Sequence, residues 1–446
     1  MDLINLVPGF GGLLWTLLAF VVALSIIVAV HEYGHYIVGR WSGIHAEVFS
    51  LGFGPVLFSR MDKRGTRWQV AALPFGGYVK FLGDADAASA GKDGATIARL
   101  SEAERRHTMS GAPLWARAAT VAAGPVFNFI LAALVFAGFM LWQGIATEQP
   151  VVGEVADTSE AAGALHPGDR ILAIGGQPTP DLTALFAVSS ALPPAATVDY
   201  SIERDGRTIT VAGPYPQPPV AAVVMPQSAA FDAGLQAGDV ITAIDGTPVY
   251  SFGQMRDIVG ASDGKTMMLT LRRAGAMSEV ALTPRRMDLP LPEGGFETRW
   301  LIGLSGGLVF TPETRTPGPF EALGLGAKQV WSLAGTSLSG LSHIISGAIS
   351  SCNLRGPIGI AESSGAAASA GLESFVWFIA VLSTAVGLMN LFPIPVLDGG
   401  HLVFHAWEAV TGKPPSDGAL RILMFIGLAL IGTLMVVALT NDLFCP

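Results

Sequence analysis

Two histidines four residues apart, with a glutamate directly after the first, form the stretch HEYGH at residues 31–35. Residues four apart on a helix lie on one face, about one turn from each other. That spacing lets the imidazoles of His31 and His35 reach one Zn²⁺, while Glu32 can accept a proton from water at the same metal. The preceding residues 11–30 carry no charged side chain. The stretch therefore predicts a hydrolytic zinc site at the end of an apolar helix that spans a membrane.

A catalytic zinc site needs a third protein ligand, so that water can take the fourth position. Asp398 is the best candidate, because it follows an apolar helix that ends in a Pro-x-Pro break, within NLFPIPVLDGGH at residues 390–401. Irregular backbone at membrane depth is tolerated where it lines a cavity. His401 and His405 are rival ligands, which we interpret as structural or supporting residues. The alternative for His31 and His35 is a pair of buried, hydrogen-bonded histidines in a helix bundle.

The overall composition is that of a membrane protein that carries a polar domain. Of the 446 residues, 14% are charged, and the mean hydropathy is +0.50. This length accommodates about two to four modules. The net charge of −9 argues against nucleic acid as a partner. Cys352 and Cys445 can form one disulfide or remain two free thiols, and the sequence leaves this open.

Four apolar stretches are long enough to span a bilayer, which takes about 20 residues. They cover residues 13–38, 116–142, 372–392 and 420–439. Residues 1–10 lack lysine and arginine, and the first stretch continues into the histidine motif, so we interpret it as a retained helix rather than a signal peptide. Residues 327–349 are rich in serine and glycine, which favours an amphipathic or surface helix over a fifth span.

The basic residues predict the orientation in the membrane. The loop 40–113 contains ten lysines and arginines, whereas the first ten and the last six residues of the chain contain none. Because basic loops stay in the cytoplasm, both termini and residues 143–319 are expected outside, which is the periplasm in a Gram-negative bacterium. The zinc motif then lies near the cytoplasmic end of the first span.

Two strands are predicted inside the basic loop, at residues 46–58 and 68–81, joined by a charged turn at 62–65. A sheet this apolar is expected to dip into the membrane, and its free edge can accept an extended peptide. The alternative is a plain hairpin that packs the cytoplasmic face. Residues 84–111 are small, polar and charged, and they predict a mobile loop.

An internal repeat follows in the external region. GDRILAIGGQP at residues 168–178 returns as GDVITAIDGTP at residues 238–248. Each copy predicts a glycine turn, a short apolar strand and a second tight turn. The pattern resembles PDZ domains of bacterial periplasmic proteases, which bind an extended chain terminus at a sheet edge. The alternative is two small domains that act as spacers or size filters.

Taken together, these motifs resemble the site-2-type zinc intramembrane metalloproteases, and among them the bacterial sigma-E-regulating type with tandem PDZ domains. The resemblance covers the whole chain and includes GPVFN at residues 124–128, which fits the glycine-proline-x-x-asparagine motif of the family. It implies that His31, His35 and Asp398 are zinc ligands and that Glu32 is the catalytic acid/base. It further implies that Asn390 and Asn128 contact substrate or order the site. Hydrogen bonding between helices is the alternative for both asparagines.

The same resemblance implies a protease of the inner membrane that cleaves single-span membrane proteins of the anti-sigma-factor type, in regulated intramembrane proteolysis of the envelope stress response. Remnant signal peptides are a second implied substrate class, and the lipid bilayer is a further partner. A membrane-tethered PDZ scaffold without catalysis and a metal transporter are the alternatives from other functional classes. A zinc protease of soluble proteins would carry its motif in the water-exposed modules, where the sequence has none.

The expected fold is a polytopic α-helical membrane protein of about four spans, with a membrane-associated β-hairpin and two periplasmic PDZ-like α+β domains. The expected division is a first span with the histidine motif at 1–40, a cytoplasmic or re-entrant β region and loop at 41–114, and a second span at 115–143. Two PDZ-like domains at 144–215 and 216–290 follow, then a linker with a surface helix at 291–370, and the last two spans with the LDG loop at 371–446.

Overall fold

The computed structural model describes residues 10–85, 93–155, 164–225, 228–291 and 295–445. Residues 1–9, on which the argument against a signal peptide partly rests, lie outside this range. The helices are α1 Phe10–Trp41, α2 Gly94–Arg99, α3 Glu102–Arg105, α4 Leu114–Gln143, α5 Leu182–Ala191, α6 Ala229–Asp232, α7 Phe252–Gly260, α8 Pro319–Ile345, α9 Pro357–Ser369, α10 Leu372–Asn390, α11 Asp398–Thr411 and α12 Asp417–Phe444.

The strands are short, apart from the first two. They are β1 Ala46–Met61, β2 Arg67–Phe81, β3 Ile145–Ala146, β4 Val152–Val155, β5 Arg170–Ile174, β6 Gln177–Pro178, β7 Val198–Arg204, β8 Arg207–Gly213, β9 Val223–Val224, β10 Val240–Ile244, β11 Thr247–Pro248, β12 Met267–Arg273, β13 Ala276–Leu282, β14 Arg285–Pro290, β15 Phe296–Leu301, β16 Leu304–Ser305, β17 Phe310–Pro312 and β18 Thr314–Arg315.

Four of the described helices are long and apolar enough to cross a membrane. They are Gly12–Trp41, Leu114–Gln143, Leu372–Asn390 and Gly418–Phe444. These segments coincide with the four predicted spans, so that prediction is confirmed. Residues 327–349 fall mostly within α8, which is not one of the candidate spans among the described residues. This agrees with the predicted surface helix.

The chain divides into two compact units. The first contains the described residues up to Gly138, together with Pro319–Ser342 and Ser351–Cys445. It therefore holds most of the apolar helices and the sheet of β1 and β2. The second contains Phe139–Gly318 and His343–Ser350, and it holds the internal repeat.

Small residues set the helix packing in the first unit. Ala23 of α1 is fully buried and packs with Ile379 of α10, and Ala132 of α4 packs with Ala380, the next residue of α10. The hydroxyl of Ser383 on α10 donates a hydrogen bond to the Asn128 carbonyl of α4 at 2.9 Å. Small side chains and polar contacts of this kind hold helices together where lipid supplies no hydrophobic drive.

The predicted hairpin is present, and it is bent into four paired segments. Residues 46–51 of β1 lie between residues 77–81 and residues 67–70 of β2, and residues 56–61 of β1 pair with residues 67–71. Asp62 closes the predicted turn, because its carboxylate accepts hydrogen bonds from the backbone N–H groups of Arg64 and Thr66. The outer segments of this sheet are therefore residues 77–81 and residues 56–61.

The predicted loop at residues 84–111 contains two short helices instead. The side chain of Asp93 accepts hydrogen bonds at the start of α2, and Ser101 and Glu104 form a capping box at the start of α3. Local caps of this kind stabilise a short helix that buries no residue of its own. Residues 86–92 of the predicted loop lie outside the described residues.

The repeat in the sequence is a repeat in the fold of the second unit. One four-stranded sheet has the order β6-β5-β7-β8, and the other has the equivalent order β11-β10-β12-β13. In each copy a helix, α5 or α7, follows the second strand and starts at an aspartate or serine cap. The glycine turns and short strands are thus confirmed, although the alanine and glycine residues at 161–163 before the first copy lie outside the described residues.

Each copy of the repeat also contains, at an equivalent position, an ion pair between a buried aspartate and a partly exposed arginine. The carboxylate of Asp169 binds the guanidinium of Arg204 at 2.6 and 2.7 Å, and Asp239 binds Arg273 at 2.6 Å through both oxygens. The two aspartates are 1% and 0% exposed. Each aspartate is the second residue of the GD stretch, directly before β5 or β10, so this motif ties that strand to β7 or β12, which carries the arginine.

Residues beyond the repeat complete its two cores. Ile302 is buried in the core of the second copy, and Val309 and Phe310 are buried in the core of the first. β14 and β15 pair across the domain boundary that the sequence places at residue 290. Part of the predicted linker at 291–370 therefore belongs structurally with the repeats, while the division into named domains stays a prediction.

The end of α12 is tied to the segment before α9. Cys352 and Cys445 form a disulfide, which answers the question that the sequence leaves open. Asp442 accepts hydrogen bonds at 2.8–3.1 Å from three backbone N–H groups at the start of α9. A carboxylate is favourable there, because the N-terminus of a helix carries partial positive charge and unpaired N–H groups.

Candidate metal centre

The histidines of α1 face α4 where the two helices approach each other closely. A Cβ added to Gly34 on α1 would lie 2.5 Å from the carbonyl oxygen of Ala123. A Cβ added to Gly124 on α4 would lie 2.4 Å from His35 Nε2 and 2.8 Å from His31 Cε1. These distances are far below van der Waals contact, so the two imidazoles occupy space that only a glycine leaves free.

Residues on α4 hold both imidazoles through Nδ1. The Nδ1 of His35 lies 2.8 Å from the carbonyl oxygen of Thr120, to which it donates, so Nε2 keeps its lone pair. The amide of Asn128 lies 3.2 Å from His31 Nδ1, and Asn128 Oδ1 has no hydrogen-bond partner among the described residues. Exchanging the amide oxygen and nitrogen, which is a matter of assignment, lets Oδ1 accept the Nδ1 proton of His31. Both histidines then present Nε2 as a metal ligand.

Asp398 completes a triangle of three donor atoms. Its Oδ2 lies 3.1 Å from His31 Nε2 and 3.4 Å from His35 Nε2, and the two Nε2 atoms are 3.1 Å apart. Zinc bonds of about 2.0–2.1 Å place tetrahedral donors roughly 3.3–3.4 Å apart. Among the described residues, these three form the group of His, Cys, Asp and Glu side chains that can hold a metal ion. The donor set and spacing fit zinc.

Glu32 lies between the metal ligands and the sheet. The backbone N–H of Val79 donates a hydrogen bond to its carboxylate. A Cβ added to Gly77 would lie 3.1 Å from Glu32 Cγ and 2.8 Å from the carbonyl oxygen of Ser50. The absence of a side chain at Gly77 therefore lets the outer segment 77–81 pack directly against this glutamate.

A cavity of about 740 Å³ opens at this cluster. It is lined by the ligands, by Glu32 and Gly77, and by residues from the start of α4, from α11 and from the start of α12. Burial would raise the pKa of Asp398, but the two imidazoles outweigh it and hold this pKa below its usual range. Burial, with help from Arg117, lowers the pKa of His405 to about 4, so this histidine is neutral at pH 7.

The structure brings together five of the six site residues predicted from the sequence, namely His31, Glu32, His35, Asp398 and Asn128. Asn390 is not among the described residues that line the cavity, and its side chain donates to the carbonyl of Val386 in its own helix at 3.0 Å. For Asn128 the contact with His31 is the hydrogen bond between helices that the sequence analysis weighed as an alternative. A contact of either asparagine with substrate stays a prediction.

Three further residues at the site escaped sequence analysis. Thr120 acts through its backbone carbonyl, which leaves no mark in the sequence. Arg117 and Glu408 form a bidentate ion pair at 2.9 and 2.7 Å on the wall of the cavity. A lone arginine at the start of a span is a signal for such a pair, although it does not identify the partner. The rival ligands His401 and His405 also line the cavity, outside the group of three donors.

Comparison with known proteins agrees with this geometry. Residues 19–434 match the model of Peptidase family M50. A protein of Agrobacterium fabrum, provisionally named a zinc metalloprotease, is 36% identical over 430 residues, which cover 95% of this chain and 94% of that protein. The regulator of sigma-E protease of Escherichia coli and that of Salmonella typhimurium are each 35% identical over 461 residues, covering 96% of this chain and 98% of each relative. The resemblance inferred from the sequence is confirmed.

Proposed function

This chain belongs to peptidase family M50 and is a metalloprotease with zinc as its expected cofactor, and we propose that it is an endopeptidase that cleaves single-span membrane proteins within the bilayer. One observation carries this proposal. The donor atoms of His31, His35 and Asp398 lie within 3.1–3.4 Å of one another. The histidines lie on α1, an apolar helix that can span a membrane, and Asp398 begins α11, shortly after a second such helix, α10. A carboxylate, Glu32, lines the same cavity.

The proposed reaction is metal-assisted hydrolysis of an amide. When bound, zinc acidifies water and polarises the scissile carbonyl. Glu32 takes the proton from the attacking water and delivers it to the leaving nitrogen. Thr120 and Asn128 keep the two imidazoles oriented with Nε2 toward the metal, and the cavity of about 740 Å³ gives water a route to Glu32. A substrate helix must unwind locally, because its amides are occupied by their own hydrogen bonds.

We propose that the unwound substrate pairs with the outer segment 77–81 of the sheet. This segment pairs with β1 on one side, and it packs against Glu32 at Gly77 and Val79. Adding an extended chain to such an edge holds it straight beside the catalytic group. Proline at Val79, whose N–H faces Glu32 rather than β1, is expected to slow cleavage, whereas proline at Ser59, on the opposite outer segment, serves as the matched control. Equal cleavage rates for both proline variants would rule this binding mode out.

The finer assignments of topology and localisation are also proposals. Both termini and the repeats are placed in the periplasm, and the metal centre near the cytoplasmic side of the inner membrane, because the basic residues concentrate in loop 40–113. The apolar side chains of Leu57, Phe58 and Phe75, each more than 60% exposed, support the contact of the sheet with lipid. The repeats act as PDZ-like modules that bind the external part of a substrate or exclude bulky ones.

The proposed substrate is a single-span protein of the anti-sigma-factor type, whose cleavage releases a regulator of the envelope stress response; remnant signal peptides are the second class. The support is the name of the Escherichia coli and Salmonella relatives, regulator of sigma-E protease. The tethered scaffold and the metal transporter, the alternatives from the sequence, each predict that the chain hydrolyses nothing, and membership of a peptidase family argues against both.

Reconstitution in vesicles with a single-span substrate tests the proposal. The wild-type chain is expected to cut within the span, and a zinc chelator is expected to stop the cut. Glu32→Gln should lower the rate by about 10²–10⁴-fold while zinc stays bound, because the substitution removes the proton acceptor and keeps the shape. Glu279→Gln, an exposed acid of β13, is the control and should cleave normally. Cleavage that survives both the chelator and Glu32→Gln would overturn the proposed chemistry.

A further inference from the structure

One face of α4 contacts both histidines of the metal centre. Arg117, Thr120, Gly124 and Asn128 follow each other at spacings of three, four and four residues, which places them on one side of the helix. Thr120 and Asn128 hold the two imidazoles, and Gly124 makes room for them. The histidines of α1 are therefore set by α4, and Arg117 lies at the start of the same face.

Arg117 reaches from this face to the helix that carries the third ligand. Its two terminal nitrogens donate to the two carboxylate oxygens of Glu408 at 2.9 and 2.7 Å. Its Nε donates to the carbonyl of Ala112 at 3.1 Å, so the guanidinium is held in place from both ends. The two side chains are 15% and 17% exposed. A bidentate pair of this kind fixes orientation as well as distance.

Glu408 lies on the same helix as Asp398, three turns further along. Ten residues of helix correspond to about 15 Å, and Asp398 and Glu408 share a side of α11 with the cavity-lining His401 and His405. The opposite side of α11 is open, since Val403, Trp407 and Val410 are 49–87% exposed. Side-chain packing therefore holds α11 only on the side that lines the cavity. On that side, the Arg117–Glu408 pair fixes the direction as well as the distance of the contact with α4.

We propose that the Arg117–Glu408 pair is a positioning device that locks α11 to α4 and thereby sets the distance between Asp398 and the two histidines. This inference rests on the zinc site of the proposed function. α4 then positions all three ligands: it orients the imidazoles of His31 and His35 directly, and it orients the carboxylate of Asp398 through Glu408. Glu408 lies about 15 Å along α11 from Asp398, so the effect of the pair on zinc is transmitted through the helix.

The test measures how fast the purified, zinc-loaded chain in detergent releases zinc to a colorimetric chelator, together with its thermal midpoint. Arg117→Met and Glu408→Met are each expected to release zinc about tenfold faster, the size found for partners that orient metal ligands. Each single variant breaks the bidentate pair between two partly buried charges and lowers the midpoint. The double variant removes both charges, so its midpoint should recover, yet zinc release should stay fast because an apolar pair fixes no direction. Arg117→Lys keeps the charge but loses the two parallel hydrogen bonds of the guanidinium, so its rate of zinc release should lie between those of wild type and Arg117→Met.

Two results would overturn the inference: unchanged zinc release in both single variants, or wild-type release in the double variant. Glu203→Gln, which removes an ion pair with Arg170 in the repeat, is the matched control and should release zinc at the wild-type rate. His35→Ala separates this inference from the function it rests on. If the wild-type chain takes up no zinc, or if His35→Ala retains zinc as well as wild type, the proposed metal site itself fails.

Discussion

A single methyl group at Gly124 is expected to abolish the metal site without changing any ligand. Gly124 lies in the middle of α4, and the Cβ of an alanine there would lie 2.4 Å from His35 Nε2 and 2.8 Å from His31 Cε1. Carbon and nitrogen atoms need about 3.5 Å at van der Waals contact, so the overlap with His35 is about 1.1 Å. The methyl group occupies the side of the imidazoles that faces α4.

The size of that overlap decides which property is lost. Metal ligand distances tolerate shifts of about 0.2 Å, and His35 cannot move about 1 Å without straining its 2.8 Å bond to the Thr120 carbonyl. We expect zinc affinity to fall at least about 100-fold. Stability should change far less, because an overpacking cost of about 1–3 kcal/mol is partly offset by the better helix propensity of alanine, about 1 kcal/mol.

The assay compares zinc content after dialysis, cleavage of a reconstituted substrate, and the thermal midpoint of the apo chain. Gly138→Ala is the matched control, since it makes the same change in the same helix where no atom lies within 4 Å of the new Cβ. It should keep zinc and activity and be as stable as wild type or slightly more so. Stoichiometric zinc and normal cleavage in Gly124→Ala would refute the close approach of the imidazoles to α4.

Two further predictions concern the Asp169–Arg204 ion pair of the first repeat and the disulfide between Cys352 and Cys445. Burial works to raise the pKa of Asp169, but Arg204 and the backbone outweigh it and hold this pKa below its usual value near 4, so the pair stabilises the first repeat above that pH and is lost as the pH falls below it. Arg204→Met should therefore cost about 3 kcal/mol at pH 7 and progressively less as the pH falls below about 4, as measured by hydrogen exchange of peptides from the repeat within the full chain. Equal losses at neutral pH and in acid would contradict this sign. Cys352→Ser should lower the stability of the non-reduced chain by about 2–4 kcal/mol and make its thermal midpoint insensitive to reductant. A wild-type chain isolated from cells with Cys352 and Cys445 both free would contradict the periplasmic placement of the C-terminus, because a disulfide persists in an oxidising compartment.

Much of this architecture could be predicted, because its signals are local. Apolar length identifies the four spans, strand-forming composition and a charged turn identify the hairpin at 46–81, and a direct repeat identifies the two small sheets. The three candidate metal ligands could be predicted from the sequence for a different reason. His31 and His35 are recognised by their spacing, and Asp398 by a break in an apolar helix at matching depth.

What escaped prediction depends on contacts between distant residues or on the backbone. The helices α2 and α3 are held by caps at Asp93 and Ser101, and such caps are hard to tell from an ordinary polar loop when few apolar residues flank them. The bend that brings residues 77–81 beside Glu32 follows from the pairing of β1 with two parts of β2, which alternation along one strand cannot reveal. Val309 and Phe310 of the predicted linker form a short apolar stretch. They reach the core of the first repeat because the chain folds back onto it after the second repeat, and the local sequence does not reveal this.

The role of α4 shows why the supporting residues of such a site are harder to foresee than its ligands. A ligand must be one of a few residue types, whereas its support can be a glycine, a backbone carbonyl or an amide. Gly124, the Thr120 carbonyl and Asn128 together fix the side and the nitrogen that each imidazole presents, and none of the three has chemistry of its own. Their shared property is a spacing of four residues on one helix face. Within GPVFN, the glycine and the asparagine are therefore two points of one surface, shaped to receive His31 and His35, and this accounts physically for the fixed distance between them.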